Sequence, residues 1–216
     1  MPPMHLLLLL LINLVWAFNF LVVHYVVRDM TPFLANSLRF GMVAILLLPW
    51  LRWASGRMRL VLTAAFVLGV VHFGFVFLSM SLADDVSAIA VASQLSVPIS
   101  AILSVFMLKE TVGIYRIMAM ATAFVGAVIV GFDPNVIHYL DGFLAGVGAA
   151  TFFALASVLL RRLQGVKALT VQAWVGVVGC TGSLILSVLL EGGQLATLTS
   201  ASLMTWGAIF YTAAGS

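Results

Sequence analysis

Long apolar runs separated by short polar ones set the pattern of this chain. Cutting it at the charged residues leaves seven stretches of the length an α-helix needs to cross a bilayer, about 20 residues. They run approximately over 6–27, 33–51, 60–83, 86–108, 115–132, 142–160 and 168–190, and 203–216 starts an eighth. Turn formers occupy the connections: Thr31-Pro32, Ser55-Gly56, Asp133-Pro134-Asn135 and Glu191-Gly192-Gly193. A membrane barrel would instead show alternating strands of about ten residues. These runs are twice that long and do not alternate. The predicted fold is therefore all-α, a polytopic transmembrane helical bundle in which each helix satisfies its own backbone.

Composition agrees. Hydrophobic residues make up 63% of the sequence and charged residues 8%, and the mean hydropathy is +1.21. A water-soluble domain carries about 25% charged residues, so the lipid bilayer is the expected solvent for most of this surface. The net charge of +3 does not point to nucleic acid, because the basic residues fall in short clusters between apolar runs. Cys180 is the lone cysteine, which excludes a disulfide framework within the chain. Met1 to His5 lack a basic n-region, and the run that follows is too long for a cleaved signal peptide, so it is read as a retained span.

Charge also predicts orientation. The second, fourth and sixth connections carry Arg52, Arg57, Arg59, Lys109, Arg116, Arg161, Arg162 and Lys167. The opposite side has Arg28 together with Asp29, Asp84, Asp85, Asp133, Asp141 and Glu191. Basic loops stay cytoplasmic, which puts the N-terminus inside and the protein in the plasma (cytoplasmic) membrane.

Internal symmetry gives a weaker signal. Trp16-Ala17-Phe18-Asn19 aligns with Phe153-Ala154-Leu155-Ala156 at an offset of 137 residues. A unit of five spans must reappear inverted, so equivalent loops should exchange sides. The three arginines of the 2–3 loop face the lone Glu191 of the 7–8 loop, as that requires. Residues 1–132 are thus expected to form one five-helix repeat, and 133–216 an inverted second repeat that is truncated. Two such copies would need roughly 270–280 residues, and the 216-residue chain is expected to insert in a membrane without transporting by itself.

Particular motifs then resemble a family. Val15-Trp16-Ala17-Phe18-Asn19-Phe20, Leu38-Arg39-Phe40, Ser87-Ala88-Ile89, Gln94-Leu95-Ser96-Val97-Pro98 and Leu108-Lys109-Glu110 are similar to those of the EamA-type transporters of the drug/metabolite transporter superfamily. Phe210-Tyr211-Thr212-Ala213-Ala214-Gly215 looks like the start of that family's eighth span. The resemblance implies ten helices in two inverted repeats around a central cavity, and export of amino acids or related metabolites.

Polar side chains within hydrocarbon are costly and are candidates for function. Arg39 stands about seven residues into the second span and shares a face with Pro32 and Asn36. Its guanidinium could grip a substrate carboxylate bidentately; alternatively it snorkels to the interface or pairs with Asp29 or Asp85. His72, mid-way along the third span with Ser79 on the same face, could relay protons, but a neutral imidazole bonded to a neighbouring helix is preferred. Gln94 is expected to line the cavity beside a helix break at Pro98. Ser93, Ser96, Ser100 and Ser104 form a stripe, with Ser100 and Ser104 read as packing. Asn19 and Trp16 are neighbours on the first span and suit a small amphipathic solute, with Asn19 preferred. Gly142, Gly146, Ala150 and Ala154, and likewise Ala119, Ala123, Ala127 and Gly131, suit tight packing within the bundle or between protomers of a homo-oligomer.

No paired histidines show metal-ligand spacing, and neither a nucleophile motif nor a phosphate-cradling loop occurs. No metal, cofactor or enzymatic activity is expected. The reading is a secondary-active exporter of small metabolites such as amino acids or their derivatives, with proton coupling as the default drive. The alternative is a non-transporting integral membrane scaffold or assembly partner.

Overall fold

The computed structural model describes residues 3–215, so Met1, Pro2 and the last residue of the 203–216 run, Ser216, lie outside the described residues. Every regular element among the described residues is helical. The eight principal helices are α1 (Pro3–Asp29), α2 (Pro32–Leu46), α3 (Met58–Leu82), α4 (Val86–Leu108), α5 (Ile114–Gly131), α6 (Leu140–Arg161), α7 (Ala168–Leu190) and α8 (Leu203–Ala214). All but α2 and α8 are long and apolar enough to span a membrane. The chain is a polytopic helical membrane bundle.

Departures from the expected spans have local causes. The second was expected to reach residue 51, but α2 stops at Leu46 and a 3₁₀ turn, Leu48–Trp50, follows. Pro49 lies in that turn and has no N–H with which to continue an α-helix. Fifteen residues cover about 22 Å at the helical rise, less than the roughly 30 Å of hydrocarbon. In α3, residues Phe66–His72 wind as a π-helix. α4 is interrupted at Leu95, between Val86–Gln94 and Ser96–Leu108. Pro98 cannot donate to the carbonyl of Gln94, four residues back, and the interruption falls there. Short helices at Pro134–Ile137 and Gln194–Ser200 were not anticipated.

α2 packs extensively along α7. α3 lies against α6 and α7, while α8 lies against α1 and α2. Small residues permit the approach. A methyl added at Gly69 on α3 would stand 2.9 Å from the Val175 carbonyl oxygen and 3.0 Å from the Gly179 Cα on α7. One added at Gly176 would stand 2.9 Å from the Ala44 backbone nitrogen on α2. Gly142, Gly146, Ala150 and Ala154 are all buried, and Gly142 and Gly146 meet α3 and α4. The α5 stripe differs: Ala127 is buried and Gly131 packs under Phe143, but Ala119 and Ala123 are exposed.

Two large apolar clusters fill the interior, one toward each end, and a small third one, Leu95, Ala127 and Ala150, joins α4, α5 and α6. Val23, Val26, Met30, Phe77, Met80, Ile89 and Phe143 belong to the first. Phe40, Val43, Val61, Leu68, Leu159, Val171 and Val175 belong to the second. The arginine-rich loops meet at the second end: Arg161 pairs with Glu110 at 3.4 Å, and Trp174 Nε1 donates to the Arg52 carbonyl at 3.0 Å. Arg57 and Arg162 donate to the Gln164 and Met107 carbonyls. At the other end Asp85 caps α4 by accepting from the Ser87 N–H (2.9 Å) and hydroxyl (2.6 Å), donors that hold its carboxyl below the ordinary carboxylate range.

Gly69→Val is expected to cost about 1–3 kcal/mol, because the added methyls meet backbone that cannot yield. Gly126→Val, where a Cβ meets open space, should change stability by less than about 0.5 kcal/mol. Melting curves in detergent compare the two, and equal losses would contradict the α3–α7 contact.

Candidate functional site

Between the two apolar clusters, α2 turns a polar face inward. Asn36, Ser37 and Arg39 are buried, with Arg39 only 1% exposed. Asn36 Nδ2 donates to the Ser183 hydroxyl on α7 at 2.7 Å and to the Gly69 carbonyl on α3 at 3.1 Å. That carbonyl belongs to the π-helical stretch, where the altered ladder presents carbonyls to side chains. Ser37 donates to the Cys180 carbonyl at 3.1 Å. The buried polar groups thus stitch α2 to α7 across the middle of the bundle.

Arg39 is held in another way. Its Nε donates to the Thr212 carbonyl on α8 at 3.1 Å. The guanidinium carbon stands 3.9 Å from the Phe73 ring centroid, 5.1 Å from that of Phe40 and 6.0 Å from that of Phe77. Both terminal nitrogens are buried with no hydrogen-bond partner among the described residues. Asp29 and Asp85, considered as partners on sequence grounds, are engaged elsewhere: Asp29 accepts from Thr205 at 2.6 Å, and Asp85 caps α4. Snorkelling is excluded by the burial.

The energetics are finely balanced. A charge at helix centre costs about 2.5–3.5 kcal/mol. A desolvated cation–π contact returns about 2 kcal/mol, and one hydrogen bond from a charged donor about 1.5–3 kcal/mol. The aromatic box and the Thr212 carbonyl can therefore retain the charge. They leave four N–H donors of the planar fork unused, and those are the donors that grip a carboxylate side-on.

The other predicted residues fall at varied distances from this layer. His72 is buried, and its Nδ1–H donates to the Ala149 carbonyl on α6 at 2.8 Å, with the ring against Phe73 and Phe153. The imidazole is thus bonded to a neighbouring helix, and it shares Phe73 with Arg39. Asn19 directs a buried, unpartnered Oδ1 inward from α1. Trp16 is 52% exposed on the outer side of α1. Gln94 is exposed on α4, away from the buried layer. Ser104 is buried and donates to the Ser100 carbonyl at 2.8 Å, in keeping with a packing role.

Sequence reasoning passed over Ser183, Phe73, Thr212 and Glu191. Gly176, Gly179, Ser183 and Ser187 recur at helical spacing on α7 and are all buried, a stripe legible in the sequence. Glu191 accepts from the Thr31 hydroxyl (2.7 Å) and from the Phe33 (2.7 Å) and Leu34 (3.1 Å) N–H groups. It thus caps α2 from the end of α7. A groove of about 310 Å³ on the flank of α3, lined by Phe66, Val70, Gly74, Phe75 and Ile185, contains no group able to orient a polar solute, and does not include Arg39.

Comparisons with known proteins agree with this architecture. A curated relative from Pseudomonas aeruginosa, described as a probable biotin transporter, is 27% identical over 158 residues, 72% of this chain and 55% of that protein. The chain thus spans about half the length of that relative. A solved structure, described only as the crystal structure of a protein, superposes with a TM-score of 0.51 at 18% identity, covering 94% of this chain and 78% of the other; the likeness is one of fold. The model of the EamA-like transporter family matches residues 3–132, more than half of the sequence, and the chain belongs to the EamA-like transporter family.

Proposed function

We propose that this protein is a secondary-active transporter that exports small metabolites bearing a carboxylate, with Arg39 as the residue that holds the anionic group. The observation that carries the reading is the pair of buried, unpartnered guanidinium nitrogens. A carboxylate would accept from both at once, and the Phe73 and Phe77 rings would flank the solute's apolar part. Amino acids and their derivatives fit this chemistry. So does the compound named for the Pseudomonas aeruginosa relative, a probable biotin transporter. His72 and Asn19 are the next polar groups, on α3 and α1.

We also propose that the chain begins an inverted-repeat carrier, with 1–132 as one unit and 133–216 as the opening of the second. The contacts support it. Exchanging each helix with the one five places away turns the α2–α7 contact into itself, α3–α6 into α8–α1 and α3–α7 into α8–α2, and all of these are packed pairs. The proposed orientation puts the arginine-rich end in the cytoplasm of a cell whose plasma membrane holds the protein.

Arg39→Lys keeps the charge but not the planar fork. In proteoliposomes of the full-length protein it should raise the apparent KM for a carboxylate solute about tenfold, the worth of roughly one charge-assisted hydrogen bond, with little change in melting temperature. Unchanged KM removes Arg39 from the site, and no saturable flux of any solute by the unaltered protein favours the scaffold reading.

Orientation is tested separately. Single cysteines at Arg57, Lys109 and Arg162, introduced with Cys180→Ser, should resist impermeant thiol reagents in intact cells and react after permeabilisation. Labelling from outside at two of them would reverse the topology.

A further inference from the structure

We propose that the site around Arg39 accepts solutes with a single net negative charge, carboxylates whose remaining polar groups are uncharged, and discriminates against zwitterions such as free amino acids. It rests on the transport reading above and narrows it, from any solute with a carboxylate to those whose amine is absent or acylated.

The charge balance of the bundle carries this. Arg39 is buried and brings one positive charge into the interior. Among the described residues, every acid lies outside that layer. Asp29 closes α1, and Asp84 and Asp85 form the α3–α4 corner. Glu110 and Asp133 follow α4 and α5, Asp141 lies in the first turn of α6, and Glu191 follows α7. All are exposed except Glu191, which is occupied in capping α2. A carboxylate on the Arg39 fork therefore brings the layer to zero net charge. A zwitterion adds an ammonium as well and leaves the layer positive, with a cation removed from water and no anion to receive it. His72, the neighbouring titratable group, carries no negative charge in either form.

Nor do the aromatic rings supply the missing partner. Ring faces attract cations, but the guanidinium carbon already stands 3.9 Å from the Phe73 centroid, 5.1 Å from that of Phe40 and 6.0 Å from that of Phe77. An ammonium on the same rings would sit beside a like charge.

The free acceptors are neutral amides. Asn36 precedes Arg39 by three residues, so the two side chains are neighbours on α2. Its Nδ2 donates to the Ser183 hydroxyl at 2.7 Å and to the Gly69 carbonyl at 3.1 Å. A carbonyl only accepts, so the amide nitrogen must face it. That orientation leaves the buried Oδ1 without a partner among the described residues. Asn19 holds a second such Oδ1. One turn along α1 from Asn19, the Val15 carbonyl accepts from the Tyr211 hydroxyl at 3.1 Å, and the adjacent Thr212 carbonyl accepts from Arg39. Asn19 and Arg39 thus meet the same part of α8. Neutral oxygens match the N–H of an amide or ureido group, which brings no charge that needs compensation. The class that fits is a carboxylate with such an N–H, as in an N-acylated amino acid.

The test measures apparent Kd by isothermal titration calorimetry on the full-length protein in detergent at neutral pH. Phenylalanine, leucine and glutamine are each compared with their N-acetyl form. Phenylalanine is also compared with phenylpropanoate, which differs from it by the amine alone and so separates charge from size. The monoanions should bind about tenfold or more tightly than the zwitterions, the order of one uncompensated charge. Asn19→Asp adds a carboxylate of the same shape and should reduce that preference about tenfold; if it fails to fold, the ratios in the native chain decide. Zwitterions that bind as tightly as the monoanions, or a ratio unchanged in Asn19→Asp, overturn the charge balance and leave carboxylate recognition in place. Binding by none of these carboxylates overturns the transport reading and the discrimination with it.

Discussion

The close crossing of α2 and α7 is the contact on which the rest of this bundle depends. Lipid provides no hydrophobic drive for helices to associate, so packing and interhelical hydrogen bonds must hold them. Gly176 and Gly179 let α7 approach the backbone and the Phe40 ring of α2 with no intervening side chain. At that separation Asn36 reaches Ser183, and Ser37 reaches the Cys180 carbonyl. The same approach brings Glu191 onto the first turn of α2. One stripe of small residues therefore sets the position of every polar group along the seam.

Once α2 is fixed, Arg39 has no route to water. The residue is retained by aromatic faces and a single carbonyl, which balance its burial cost while using one of its five N–H donors. An architecture evolved for stability alone would place a leucine or methionine there, because buried charges are replaced by well-packed apolar residues at little or no loss. A carrier has a different requirement: its site must be incomplete without solute, so that solute affinity can drive a change between conformations. A neighbouring feature fits that requirement. The π-helical stretch of α3, most of whose residues are buried, is an irregularity tolerated at membrane depth where protein surrounds it.

Much of this was legible in the sequence, for identifiable reasons. Helix positions follow from hydropathy, and their ends from charge, so α4, α6 and α7 begin and end within a few residues of expectation. Arg39 was legible because a charge within an apolar run has few explanations. Trp16 and Gln94 show where such reasoning stops: a single span reveals that a polar or aromatic residue is at depth but not which way its face turns. α1 has apolar residues on every side of Trp16, so nothing in its pattern marked Trp16 as outward. Phe73 and Thr212 could not be assigned to the guanidinium because their proximity arises from α3 and α8 meeting α2. Glu191 was read as a loop acid, since its partners are backbone N–H groups, which carry no sequence signal.

The central claim is that the buried fork of Arg39 is a carboxylate receptor. It is tested most directly by solute-dependent thermal shifts of the purified protein, comparing carboxylate metabolites with their primary amides, in the native chain and in Arg39→Met. The account predicts stabilisation by one or more carboxylates but not by the matching amides, and loss of that shift in Arg39→Met, with the ligand-free variant melting no lower than the native chain. Equal shifts with acid and amide, or a carboxylate shift that survives in Arg39→Met, would contradict it.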